Sequence, residues 1–326
     1  VKFNDGRKRI LEVKEWSKIH DIKNIIMGFS DIPPQRQRLF FRGKEVGNSW
    51  CVASAEDGCT LSCVITNGPS HIYGKPALSL CQSSSRVAKR LRDLLEACKS
   101  GLALNLKPLL ALDGLGGTYF LRDSNKQCVA CFKPMDEEPG GANNPRGLVG
   151  TDGQIAHERG ILAGDACGRE MAAYLLDHNR FAGVPATAMA EASHPSFSHL
   201  NPASDKNRPK LGMLQEYVVH DDVAGDVSSD LFPTREVHKI ALLDIRCINT
   251  DRNEGNILVR YSDSTKSANG EHTLPKWRRG AAGRSSPFRK GSNTEITLIP
   301  IDHGYCFPAS LNVGWCDWCW LQWKQT

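Results

Sequence analysis

A polar loop that empties into an apolar strand restricts the fold of this chain more than any other feature. Thr250-Asp251-Arg252-Asn253-Glu254-Gly255-Asn256 runs without a break into Ile257-Leu258-Val259. Asp251 and Asn256 stand five positions apart, and the strand behind them fixes both side chains. Phosphoryl transferases present a catalytic loop in this way: an Asp orients the acceptor hydroxyl and takes its proton, and a following Asn holds a metal ion that bridges nucleotide phosphates. Asp and Asn at this spacing also occur in ordinary capped turns before strands. The order of its companions sets this loop apart, with a glycine-rich turn and a strand lysine upstream and Asp302 at the end of an apolar run downstream.

At 326 residues, 40% hydrophobic and 24% charged, the chain has room for two domains and the composition of a soluble globular protein. A net charge of +5 suits an anionic partner such as a nucleotide or a lipid surface, and nothing points to nucleic acid. Of the twelve cysteines, Cys128 with Cys131 and Cys316 with Cys319 have zinc-knuckle spacing. No second pair follows either at finger spacing, so reduced, buried thiols are expected. No apolar run approaches the roughly 18 residues of a membrane span, and no signal peptide opens the sequence. Membrane contact is therefore expected to be peripheral and the location cytoplasmic, with the nucleus left open.

Residues 9–13 alternate like a strand, and Ile19, Ile22, Ile25, Ile26 and Phe29 recur at helical spacing until Pro33-Pro34 stops them. Residues 38–41 and 60–65 then read as short strands around a turn at Gly43. This is the order of a β-grasp domain. Ile32-Pro33-Pro34-Gln35-Arg36-Gln37-Arg38-Leu39-Phe40-Phe41-Arg42-Gly43-Lys44 resembles the central segment of ubiquitin, and residues 6–13 resemble its first hairpin. The resemblance implies a ubiquitin-like domain over 1–66. It also implies a small exposed apolar patch, here Phe40 and Val64, for a ubiquitin-receptor or proteasome-associated protein, although ordinary sheet packing explains the same residues. No diglycine follows the final strand, so conjugation is not expected.

Residues 67–111 read as a linker with a basic amphipathic helix. The linker is rich in Ser, Gly and Pro, and the helix sets Val87, Leu91, Leu94, Leu95 and Cys98 among Arg86, Lys89, Arg90, Arg92 and Lys99. Such a helix either docks on the next domain or lies on an anionic membrane.

From Leu112 the pattern is that of a nucleotide-binding half. Gly114, Gly116, Gly117 and Thr118 precede a strand hairpin, and glycine amides approach phosphate oxygens closely. Lys133 follows Gly114 by 19 residues on the second strand, too far for a Walker motif but where a kinase lysine reaches the phosphates. Residues 136–153 read as an irregular loop. Residues 168–177 read as a helix with Met171 and Leu175 on its apolar face and Glu170 at its edge, a candidate partner for Lys133. Gln215, Glu216, Tyr217 and Val218 end a short strand where a kinase places the hinge that bonds adenine. Residues 232–248 form a helix with Val237, Ile240, Ala241, Leu242 and Leu243 toward a core. Residues 262–293 are a basic insert of little apolar content, expected to be disordered. Asp302, ending the strand over 296–301, would complete a Mg²⁺ shell with Asn256.

Gly-Gly-Thr-Tyr-Phe, Phe132-Lys133-Pro134, Asp136-Glu137-Glu138-Pro139, Asn143-Asn144-Pro145, Arg169-Glu170-Met171, Asn249-Thr250-Asp251-Arg252 and Ile301-Asp302-His303-Gly304 occur in one order. Together they resemble the plant gamma-type (type II related) phosphatidylinositol 4-kinases, which carry ubiquitin-like domains before the catalytic domain. The resemblance implies an α+β chain: a ubiquitin-like β-grasp domain, then a two-lobed phosphatidylinositol 3-/4-kinase domain over 112–326 that ends early. It further implies ATP and Mg²⁺ as cofactors, Asp251, Arg252 and Asn256 as catalytic residues, and transfer to the inositol 4-hydroxyl of phosphatidylinositol. Asn253 and Glu254 depart from the family's loop and are expected to impair turnover. A Ser/Thr protein kinase acting on ubiquitin-pathway proteins, and a weakly active or inactive ubiquitin-like adaptor, stay open.

Overall fold

The structure, a computed structural model, describes residues 1–3, 7–30, 32, 34, 37–47, 50–54, 59–65, 77–81, 88–150, 161–200, 209–263, 294–310 and 312–326. The expected insert, beyond its first two residues, lies outside them, as do residues 67–76 and 82–87 of the expected linker. The chain divides into two compact units, Val1–Met171 with Ala186–Tyr217, and Ala172–Pro185 with Val218–Thr326.

The first unit opens with β1 (Lys2–Phe3), α1 (Ile19–Ser30), β2 (Gln37–Phe41), β3 (Lys44–Glu45) and β4 (Leu61–Ile65). The four strands form one sheet in the order β1-β4-β2-β3, with β1 parallel to β4 and the other pairs antiparallel. Asp21 accepts the Lys18 amide at 2.8 Å, which satisfies a donor at the start of α1 as one limb of a capping box does. Ile19, Ile22 and Ile26 bury the helix against Phe3, Leu39 and Leu61. Ile25 and Phe29 fall off that stripe and are 40% and 39% exposed. Residues 9–13 form no strand; only Lys8 bridges to Lys2.

The expected exposed patch is not exposed. Leu39 faces the small domain's own core, but Phe40 and Val64 lie on the opposite face of the sheet. They are only 4% and 3% exposed because other residues of the same unit cover that face.

A second sheet of the unit holds β5 (Ala77–Leu80), β6 (Leu109–Leu110), β7 (Tyr119–Arg122), β8 (Cys128–Pro134), β9 (Thr187–Ser193) and β10 (Lys210–Glu216). It is antiparallel throughout, in the order β5-β9-β10-β8-β7-β6. Two of its strands therefore come from the stretch that reads as linker. Helix α2 (Lys89–Ala103) buries Leu91, Leu94, Cys98 and Gly101, and Gly101 is required there, because a Cβ would fall 1.8 Å from the Arg122 carbonyl oxygen. Its basic face is already paired: Arg90 with Glu216, Lys89 with Asp93 and Lys99 with Glu96. The apolar side of this helix is thus docked within its own unit. Helix α3 (Ala166–Leu176) leads out of the unit. Met171 is buried as expected, at 7%, but Leu175 is 58% exposed, and Glu170, expected at the edge of that face, is 1% exposed.

The second unit contains β11 (Asp222–Val223), α4 (Thr234–Cys247), β12 (Asp251–Arg252), β13 (Ile257–Asp263), β14 (Thr294–Pro300) and β15 (Asp317–Trp318). The order β11-β13-β14 makes an antiparallel sheet, and β12 runs parallel to β15. Val237, Ile240 and Ala241 of α4 pack on Ile257, Val259 and Leu298. Leu242, expected in that core, is one position off the stripe and 56% exposed. The helix ends at Ile248 with φ of 49°, a left-handed C-cap uncommon for a β-branched residue. All twelve cysteines are free thiols. No helix among the described residues is long and apolar enough to cross a membrane.

Candidate active site

Lys133 sits on β8 opposite Met213, and its Nζ lies 2.7 Å from Glu170 Oε1. The other Glu170 oxygen accepts the side-chain amide of Gln215 at 3.3 Å, and that amide also reaches Thr187 Oγ1 at 2.9 Å. Gln215, expected at an adenine hinge, thus supports the ion pair through its buried side chain. Neighbouring Gly212 lets β10 approach β8, since a Cβ there would fall 2.3 Å from the Lys133 carbonyl oxygen. The backbone of the expected hinge is engaged within each unit. The Glu216 amide donates to Ala186 O and the Tyr217 amide to Val129 O, both at 2.8 Å. His220 Nδ1 lies 2.9 Å from Val218 O.

The glycine turn rests on an acidic knot. Gly117 donates its amide to Glu137 O at 3.0 Å, and a Cβ on Gly117 would fall 2.2 Å from Glu137 Oε2. Gly117 is therefore needed for the close approach of Glu137, and its amide is committed inside the fold. Gly116 lies over the same segment, near Glu137 O and Pro139; Gly114, with φ of 94°, has open space where its side chain would be. The Thr118 carbonyl accepts the Ala111 amide at 2.8 Å.

Glu137 takes hydrogen bonds from Tyr119 Oη at 2.7 Å and the Ser198 amide at 2.9 Å, and pairs with Lys210 at 2.8 Å. Lys210 also meets Asp136 at 2.8 Å. Glu138 caps the start of α3 by accepting the amides of Gly164, Ala166 and Cys167 at 2.7, 3.1 and 2.9 Å, where a carboxylate also complements the helix dipole. What reads as an irregular loop after Lys133 is thus the support of the helix that carries Glu170.

Burial, partly offset by Lys210, pushes the Glu137 carboxyl up to about 7 from a reference of 4.5. The folded-state value lies above the unfolded one, so folding takes up a proton. The stability this group contributes is complete below the unfolded value and is lost as pH rises through the folded one. The thermal midpoint should fall between about pH 5 and pH 8, with a shallower slope in Glu137→Gln. Equal slopes in parent and variant, followed by calorimetry, would assign the titration elsewhere.

In the second unit the 249–256 loop is tied down from three sides. The Asp251 amide donates to Asn249 Oδ1 at 3.0 Å, and Asn256 Nδ2 donates to Asp251 O at 2.8 Å. The Ile301 amide bonds Asn256 O at 3.0 Å, so Asn256 and Asp302 emerge together at the end of the β13–β14 pair. Asp302 takes the left-handed conformation, φ 55°, a strained state of the kind that clusters at functional sites. Asn253 Oδ1 caps the turn by accepting the Gly255 amide at 2.9 Å.

Arg252 is expected among the catalytic residues, yet it is fully buried. Its Nε donates to both Asp244 oxygens at 3.1 and 3.0 Å, and its Nη1 donates to Asn256 O and Ile301 O at 2.6 and 2.7 Å. The guanidinium thus stitches the loop to Asp302's strand end. Asp244 also receives Asn249 Nδ2 and Trp320 Nε1, each at 3.0 Å. Trp318 stacks on Trp320 with ring centroids 5.0 Å apart, and its Nε1 donates to Asn249 O at 2.5 Å.

Residues 114–314 match the family model for phosphatidylinositol 3- and 4-kinases, more than half of the sequence. The chain belongs to the phosphatidylinositol 3- and 4-kinase family. Residues 1–68 match the ubiquitin family. The chain is 36% identical over 267 residues to phosphatidylinositol 4-kinase gamma 7 of Arabidopsis thaliana, covering 79% of this chain and 35% of that protein. It is 34% identical over 289 residues to phosphatidylinositol 4-kinase gamma 4 of Oryza sativa subsp. japonica, covering 84% of this chain and 44% of the relative. The chain therefore spans less than half the length of these relatives. Within this kinase domain, sequence reading passed over Asp244, Lys210 and the supporting roles of Glu137 and Glu138. One signal for Asp244 was present: it continues the Val237, Ile240, Ala241 stripe of α4 into the core.

Proposed function

We propose that the chain transfers the γ-phosphoryl group of ATP to the inositol 4-hydroxyl of phosphatidylinositol, with Mg²⁺. The carrying observation is the 251–256 loop, locked by Arg252 and the Asn256–Ile301 bond to the segment that ends in Asp302. Asp251, half-buried at the loop's start, would orient the acceptor hydroxyl and take its proton. Asn256 and Asp302, which lie at one end of the β13–β14 pair, would offer hard oxygen donors. They suit Mg²⁺, which is bound by one or two protein oxygens together with substrate phosphates. Lys133, oriented by Glu170, would hold the phosphates, with Gly114, Gly116 and Thr118 as the turn beside them and Gln215 to Val218 as the adenine segment. Mg-ATP supplies the transferable phosphoryl group and the charge that screens it. Arg252 is a positioning residue.

Mg-ATP at 100 times its Kd should stabilise the chain by about 2.7 kcal/mol, and Lys133→Ala should lose most of that gain. An unchanged melting temperature in both proteins would remove Lys133 from the site. The acceptor is tested by incubating the chain with labelled ATP, phosphatidylinositol vesicles and a generic protein substrate. Label is expected in the lipid, at the 4-position; label in protein alone, or in neither, would overturn the reading.

A further inference from the structure

The ubiquitin-like sheet has two covered faces. On β2, Leu39 packs inward on the domain's own core, while Arg38 and Phe40 point the other way, with the guanidinium 5.6 Å from the Phe40 ring centroid. Phe40 and Val64 share one buried cluster with Cys81, Cys167, Met171, Met189, Leu211 and Met213, which belong to the six-stranded sheet, its flank and α3. Arg38 pairs with Glu45 on the neighbouring β3, and across to Glu191 on β9 and the Pro209 carbonyl. The β2–β3 turn meets the leader of α3 backbone to backbone. A Cβ on Gly43, whose φ is 76°, would fall 2.1 Å from Ala163 O, and one on Gly164 would fall 2.4 Å from Gly43 Cα.

We propose that the ubiquitin-like domain is an internal brace of the kinase domain. Its Arg38, Phe40, Gly43 and Val64 face is occupied within the chain, and holds α3 so that Glu170 meets Lys133. The contact has the features of a built interface. It places a charge pair at its edge and an aromatic anchor in a flexible, methionine-rich bed. It also includes two glycines that admit a backbone approach no other residue would allow. The helix it touches is the one that Glu138 caps and that carries Glu170 four residues after the Ala166 amide. An uncovered Met189, Leu211 and Met213 surface would be a large exposed apolar patch, of the kind that marks an interaction site. The bracing step rests on the reading of Lys133 and Glu170 as the nucleotide site; the docking itself does not.

The full chain tests both. Val64→Asp lies outside the small domain's own core and should undock it from one side, and Glu191→Arg should do so from the other. Iodoacetamide alkylation, resolved by mass spectrometry, then reports the buried thiols. Cys81 and Cys167 should react at least about tenfold faster in both variants, while Cys98 under α2 stays slow. Adding Arg38→Glu to Glu191→Arg should restore much of the protection, as expected for a directly coupled pair. The Kd for Mg-ATP should rise at least about fivefold in both single variants. Cys81 and Cys167 remaining as slow as Cys98 would overturn the docking, as would binding of a ubiquitin-interacting helical peptide to the parent chain. Exposed thiols with an unaltered Mg-ATP affinity would overturn the bracing, and a parent that binds no Mg-ATP would reject the nucleotide reading while leaving the docking in place.

Discussion

Arg252→Ala should lower the stability of the second unit by about 3–5 kcal/mol, because breaking a buried ion pair strands the remaining charge away from water. Both partners have side chains at 0% exposure, and the guanidinium also satisfies the carbonyls of Asn256 and Ile301. Asp244 would keep bonds from Asn249 and Trp320 but lose its counter-charge. Replacing both residues, Arg252→Met with Asp244→Leu, should recover part of the loss, since an apolar pair of similar volume carries no desolvation cost. The loop would still miss its two carbonyl bonds, so the recovered protein should be stable and poorly active. Urea unfolding followed by tryptophan fluorescence reads this directly, with Trp318 and Trp320 on the site itself. A loss under about 1 kcal/mol would mean that water reaches the pair.

Asp251→Asn should reduce phosphoryl transfer by about 10²- to 10⁴-fold, the range typical of a general base, with the Mg-ATP thermal shift retained. The substitution keeps the backbone bonds of the loop, because Asp251 contributes its amide to Asn249 and its carbonyl to Asn256. Binding and transfer separate only if Asp251 serves the acceptor. A variant that turns over within about threefold of the parent would take Asp251 out of the chemistry.

The loop and its strand were legible because their signal is local: a polar run capped by Asn and Asp that passes into β-branched residues. The glycine hairpin was legible for the same reason. Its reason for being glycine was not, because the group lying over Gly117 is Glu137, some twenty residues downstream and read as loop. Buried charges were the main blind spot. Glu137, Glu138 and Lys210 are all nearly inaccessible, and their partners are distant in sequence. A charged residue signals burial only by breaking an apolar stripe, as Asp244 does on α4. Phe40 and Val64 show the complementary limit. Alternation identifies a strand with two apolar faces, but it does not say what covers the second one.

The parallel pairing of Asp251 with Asp317 and of Arg252 with Trp318 sets an order of events during synthesis. A ribosome that has released the 249–256 loop has yet to make the segment that stacks behind it, and the β13–β14 pair lies between the two in sequence. Until Trp318 and Trp320 arrive, Asn249 and Asp244 lack their indole donors and the Arg252 pair lies open to water. The 249–256 loop therefore reaches its final setting only once residues 317–320 have been made.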